Sequence, residues 1–174
     1  MQNYKIINNP DAVKEFIDWL PDLKDNEKFY LSLFARKKYC RDVIDSNDKT
    51  QLKRFTSDKE RMFDKLNQLE LTLGKWRIKG KEAPQESLVL YIHPIPRDMR
   101  IATNKMGKKC WDLIENKNYN LVAEAMSCVQ SSKSKSVKLV TFDIDDSDAD
   151  MSYLNEIFPF KCYDYIKTRG GYHV

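Results

Sequence analysis

Val137-Lys138-Leu139-Val140-Thr141-Phe142-Asp143-Ile144-Asp145-Asp146 is the stretch on which the reading of this chain turns. The run from Leu139 to Phe142 is apolar and rich in β-formers, and it predicts a buried strand. Asp143 and Asp145 stand at its end, two residues apart. Alternate residues of a strand share a face, so both carboxylates point the same way. Two acids in that position repel one another unless a cation lies between them. Mg²⁺ and Mn²⁺ take such hard oxygen donors. The plainer reading is an exposed acidic strand end. Ser147 or Asp148 is placed to cap a helix from Ala149 to Ile157.

Downstream, Pro159 ends that helix and a last strand is expected from about Lys161. It carries Lys167 and Arg169 on one face and runs through Gly170-Gly171-Tyr172-His173 to Val174. Arg169 brings a planar guanidinium suited to phosphate. Two glycines let backbone approach a ligand closely. Acids that suit a metal beside a phosphate-friendly turn point to nucleotide chemistry.

These two segments resemble the archaeo-eukaryotic primase superfamily. Phe142-Asp143-Ile144-Asp145 is similar to its first motif, a strand carrying two metal ligands. Gly171-Tyr172-His173 is similar to its second, whose histidine contacts the phosphates of the incoming nucleotide. The resemblance implies a DNA-dependent nucleotidyltransferase, a primase or primase-polymerase, working with Mg²⁺ or Mn²⁺ held by Asp143 and Asp145. It implies catalytic roles for Asp143, Asp145 and His173, and nucleotide binding by Arg169, His173 and Lys167. The implied partners are a single-stranded DNA template, nucleoside triphosphates and a replicative helicase. The implied fold is α/β (α+β): an N-terminal α/β unit over residues 1–136, then the first β-α-β of an RRM-like sheet over 137–174. The family's third acidic motif does not follow His173, so the expectation is a piece of a longer replication protein.

Charge is distributed unevenly. The net charge is +4, made of +1 over residues 1–74, +7 over 75–138 and −4 over 139–174. A basic middle beside an acidic end suits a polyanion held near cations. Arg36, Lys37 and Lys38, at the end of an early strand, and Arg97 and Arg100 are the candidates for nucleic-acid contact. Lys105, Lys108 and Lys109 would extend Arg97 and Arg100 into a strip. A solvated cationic surface is the plainer reading for each taken singly. No apolar run approaches the roughly 20 residues that cross a bilayer, and the N-terminus has no signal-peptide pattern. The expected compartment is cytoplasmic, with no membrane partner. Cys40, Cys110, Cys128 and Cys162 are scattered and form no CxxC pair, which reads as free thiols.

Along the rest of the chain, Asn9-Pro10-Asp11 opens a helix that Pro21 ends. Phe29 to Ala35 predicts a strand. Met62, Leu66, Leu69 and Leu73 form a helical stripe within 58–73, closed by Gly74. Ser87 to Ile92 predicts another strand, followed by a rigid turn at His93-Pro94-Ile95-Pro96-Arg97. Helices are expected over 98–114 and 121–129. Ser131 to Ser136 reads as a flexible connector. Trp76 and Tyr91 are aromatic faces that core packing accounts for. Two other functions compete: a non-catalytic single-stranded nucleic-acid binding module, and a D-x-D phosphohydrolase, which Ser147 fits poorly.

Overall fold

The computed structural model describes residues 2–40, 49–117, 119–158 and 163–174. It is an α+β protein. The principal sheet has the order β2-β1-β5, antiparallel throughout, from β1 (Glu27–Arg36), β2 (Lys49–Ser57) and β5 (Leu88–Asp98). Helices α1 (Pro10–Trp19) and α2 (Met62–Asn67) cover one face, and α3 (Met99–Glu115) and α4 (Leu121–Gln130) pack against the other. A β-ribbon of β3 (Arg77–Ile78) and β4 (Lys81–Glu82) flanks the sheet. A second sheet has the order β6-β8-β7, from β6 (Asp143–Ile144), β7 (Ile166–Thr168) and β8 (Gly171–His173), with α5 (Tyr153–Ile157) between β6 and β7.

Strand β1 is the spine. Phe29 and Leu31 enter a core with Ile17, Leu20, Met62, Leu66 and Leu69. Leu33 and Ala35 continue it against Tyr4, Ile78, Ala83 and Leu88. The alternate residues Tyr30, Ser32, Phe34 and Arg36 face the other way, and Tyr30 packs on Ala102 and Val129 of α3 and α4. Helix starts follow their caps. Asn9 accepts the Ala12 N–H with Pro10 at the first helical position, Asp98 accepts from Ile101, and Asn120 accepts from Ala123.

The predicted elements at 10–20, 29–35, 98–114 and 121–129 form within a residue or two of their expected ends. Four regions differ. The helical stripe yields only α2, because the chain after it pairs with the N-terminus. Tyr4 N–H donates to Leu71 O at 2.8 Å, Leu73 N–H to Gln2 O at 3.0 Å, and the Glu70 carboxylate accepts from Ile6 and Ile7. Strand β2 is absent from the sequence reading because its outer face is polar and charged. As an edge strand it leaves that face to solvent.

His93 to Arg97 is not a turn but the continuation of β5. The strand is an edge, where Pro94 and Pro96 leave no ladder hydrogen bond unmade. The serine segment after α4 is not a free connector. Asp98 N–H donates to Ser132 O and Ser134 N–H to Pro96 O, both at 2.8 Å. Buried Glu27 accepts from the Ser134 and Ser136 hydroxyls. Burial alone would raise the Glu27 pKa, and these bonds outweigh it and hold it below the ordinary carboxylate value.

Candidate functional site

The second sheet is built around one glycine. Gly171 has φ +151°, and a Cβ there would lie 1.7 Å from Ile144 O and 2.9 Å from Asp146 N. Only glycine permits β8 to come this close to β6. The approach sets Asp143 opposite His173 and Ile144 opposite Tyr172. Phe142 and Val174 extend the ladder by exchanging both backbone bonds at 2.9 Å. The result is a cross-strand contact, His173 Nδ1 to Asp143 Oδ1 at 3.5 Å, with the Asp143 side chain 68 % exposed.

The strand before Asp143 is not the buried one expected. Val140 is 75 % and Phe142 53 % exposed, and regular pairing of β6 covers only Asp143 and Ile144. Too little packs over this sheet to bury it. Gly171 is the one residue classed as buried among those described from 137 to 174. Asp145 lies beyond the end of β6 and is exposed. Helix α5 starts at Tyr153, later than the expected Ala149, because Asp146 and Asp150 instead accept the backbone N–H groups of Asp148 and Ser152 in tight turns. Pro159, Lys161 and Cys162 lie outside the described residues.

The last strand is a hairpin. The chain turns at Arg169-Gly170, so Arg169 is not on a strand with His173. Its guanidinium donates to Glu86 O at 2.7 Å and stacks over Tyr39 at 4.5 Å. Lys167 pairs across the hairpin with Tyr172, its ammonium 5.5 Å from the ring centroid. The fold thus brings Asp143 and His173 together, keeps Lys167 one strand away, and directs Arg169 toward the first unit.

A divalent ion is what the resemblance implies here. Among the described residues no group of three or more His, Cys, Asp or Glu side chains is placed to hold one. Asp143 and Asp145 offer hard oxygen donors, and Mg²⁺ is commonly held by one or two carboxylates with water and substrate phosphates completing its shell. Two carboxylates suit that mode and not a closed protein cage, and of the two only Asp143 lies within β6.

The cationic candidates disperse. Lys37 and Lys38 sit in a short 3₁₀ turn after β1, with Lys38 over Tyr39 at 4.9 Å. Arg100 is 77 % exposed at the start of α3 and 4.0 Å from Asp98. Lys105 donates to Ser131, and Lys109 pairs with Glu124 at 3.3 Å. Arg97 belongs to no surface strip: it is 2 % exposed, within β5. Its Nε and Nη1 have no hydrogen-bond partner, and its guanidinium lies over the Tyr30 ring at 5.7 Å.

A second cluster went unread in the sequence. On the face of the principal sheet away from the aliphatic core, the His93 ring lies tilted against Tyr30, centroids 5.2 Å apart. Lys49 sits 4.2 Å from both the Phe34 and Tyr91 rings, and Arg36 donates to the Tyr91 hydroxyl. Burial, with the charges of Arg97, Lys49 and Lys133, pushes His93 down to about 4. Burial and Arg36 lower the pKa of Lys49. The signal was the alternation of Tyr30, Ser32, Phe34 and Arg36 in β1, a polar and aromatic face opposite an aliphatic one.

No family model, curated protein or solved structure matches the chain.

Proposed function

We propose that this chain carries a nucleotidyl-transfer site of primase or primase-polymerase type on its second sheet. The observation that supports the reading is the meeting of Asp143 and His173 across β6 and β8, 3.5 Å apart. In this reading Asp143 and Asp145 hold Mg²⁺ or Mn²⁺, which would neutralise triphosphate charge and activate a 3′-hydroxyl. His173, positioned by Asp143 and by the close approach at Gly171, contacts the nucleotide phosphates. Lys167, one strand over, adds positive charge. Arg169, held by Glu86 and Tyr39, orients the β7–β8 hairpin against the first unit rather than gripping the triphosphate. A single-stranded DNA template is the implied second substrate, and a replicative helicase the implied protein partner.

Calorimetric titration with Mn²⁺ and a nucleoside triphosphate tests this. Metal-dependent binding lost in Asp143→Asn/Asp145→Asn is the expected result. Wild-type binding by that variant overturns the assignment. A non-catalytic binding module is the second reading, and the cationic face of the principal sheet favours it. Metal-independent binding of nucleic acid without triphosphate binding would select it.

A further inference from the structure

The principal sheet carries Arg36, Lys49, His93 and Arg97, and Lys133, from the segment after α4, bridges to Arg97. The electrostatic neighbours of His93 are Arg97, Lys49 and Lys133, all positive, and burial and this charge together keep its imidazole neutral at pH 7. Arg36 in turn bears on Lys49. No carboxylate among the described residues pairs with Arg36, Lys49, Arg97 or Lys133 at ion-pair distance.

Arg97 is the strongest element. A guanidinium stays charged in proteins and carries five N–H donors. At 2 % exposure, with Nε and Nη1 unpartnered, it holds unmet donor capacity inside the protein. Buried charges are retained where something compensates them. The Arg36 Nε and the Ser32 hydroxyl, on the same face, are also buried without partners. Donors without acceptors and cations without acids together call for an anion with several acceptor oxygens.

We propose that this face is a phosphate-binding site, separate from the second sheet, which takes a phosphate group at Lys49 and His93 with the charge of Arg97 beneath. Neutral His93 offers one N–H donor, and Lys49, exposed at the sheet edge, is the point of entry. The ligand is defined by its phosphate chemistry, borne either as a terminal phosphate or as an internal phosphodiester. The site is independent of the proposed metal site, so each is tested without the other.

Fluorescence anisotropy of a labelled oligothymidylate in chelator, at about 50 mM salt where phosphate contacts are strong, reads the site directly. The wild-type chain is expected to bind, and inorganic tripolyphosphate to displace the strand. Lys49→Ala and His93→Gln should each weaken binding at least about fivefold and flatten the salt dependence by about one unit of slope for the lost lysine. Lys108→Ala, an exposed lysine on α3, should change it less than about twofold. Asp143→Asn should bind as the wild type does. Tighter binding of a 5′-phosphorylated strand than of its 5′-hydroxyl counterpart would assign a terminal phosphate, and equal binding a phosphodiester. Arg97→Leu risks misfolding, so Lys49→Ala, at an exposed side chain, carries the decision. Absence of binding, or equal losses in Lys49→Ala and Lys108→Ala, would overturn the proposal. Loss in Asp143→Asn would also overturn it, by moving the anion to the second sheet.

Discussion

The two three-stranded sheets of this protein are made from similar residue types and behave differently. The principal sheet has strands of 10, 9 and 11 residues, and its central strand is covered on both faces. The second has strands of 2, 3 and 3 residues, with Val140, Phe142, Tyr153, Ile157 and Tyr165 exposed around it. Phe29 and Phe142 are both aromatic strand-formers, yet one is fully buried and the other half exposed. The difference is what packs against them. Four helices serve the first sheet, while the one short helix α5 accompanies the second. An apolar run makes a strand stable only when another layer removes it from water. Asp143 and His173 therefore stand where few buried contacts hold the strands, as is common for elements that bind ligands.

The contrast can be broken first by truncation. Leu31→Ala, in the fully buried centre of β1, should cost about 2–5 kcal/mol, whereas Phe142→Ser should change global stability by about 0.5 kcal/mol or less. Denaturant melts of both variants check this. Equal losses would mean that the second sheet is as integral to the core as the first.

The next largest effect is pH-dependent and belongs to the principal sheet alone. His93 falls from an ordinary 6.5 to about 4 on folding, so between these values the unfolded chain binds more protons than the folded one. Stability from this group is complete above about pH 6.5 and is lost as pH falls toward about 4. The loss is on the order of 3 kcal/mol at most. His93→Gln should flatten the melting temperature across that window. It should leave the decline at lower pH, where Asp58, held well below the usual carboxylate range by Arg61 and Lys28, takes up its proton. An unchanged profile in the variant would remove His93 as the cause.

Small in global terms is Gly171→Ala. The added Cβ meets Ile144 O at 1.7 Å, so β6 and β8 must separate. Hydrogen exchange at Phe142 and Val174 should accelerate, while the main melting transition shifts by about 1 kcal/mol or less. Retained protection at those amides would show that the close approach is not needed.

Much of this was legible beforehand. The Asn9-Pro10 and Asp98 helix starts, the β1 run and the stripe from Met62 to Leu69 are local signals, and they act locally. The acids at 143 and 145 and the glycine before Tyr172-His173 marked the second sheet. What failed was long-range. Lys49 to Ser57 looks too polar for a strand until β1 offers it an edge. His93 to Arg97 looks like a turn until its edge position excuses two prolines. The serines after α4 look free until Glu27 and Pro96 bind them.

The sequence by itself determined the α+β class, the helix caps and the uneven charge, and it named Asp143, Asp145 and His173 singly as candidates, because each of these depends on residue type and short spacing. Tertiary structure alone decided that Arg169 turns away from His173 and that Arg97 is buried without partners. It alone gathered Lys49, His93 and Arg97 on one face. Those outcomes depend on strands far apart in the chain meeting in register, and no local spacing encodes which side chain the next strand will place opposite.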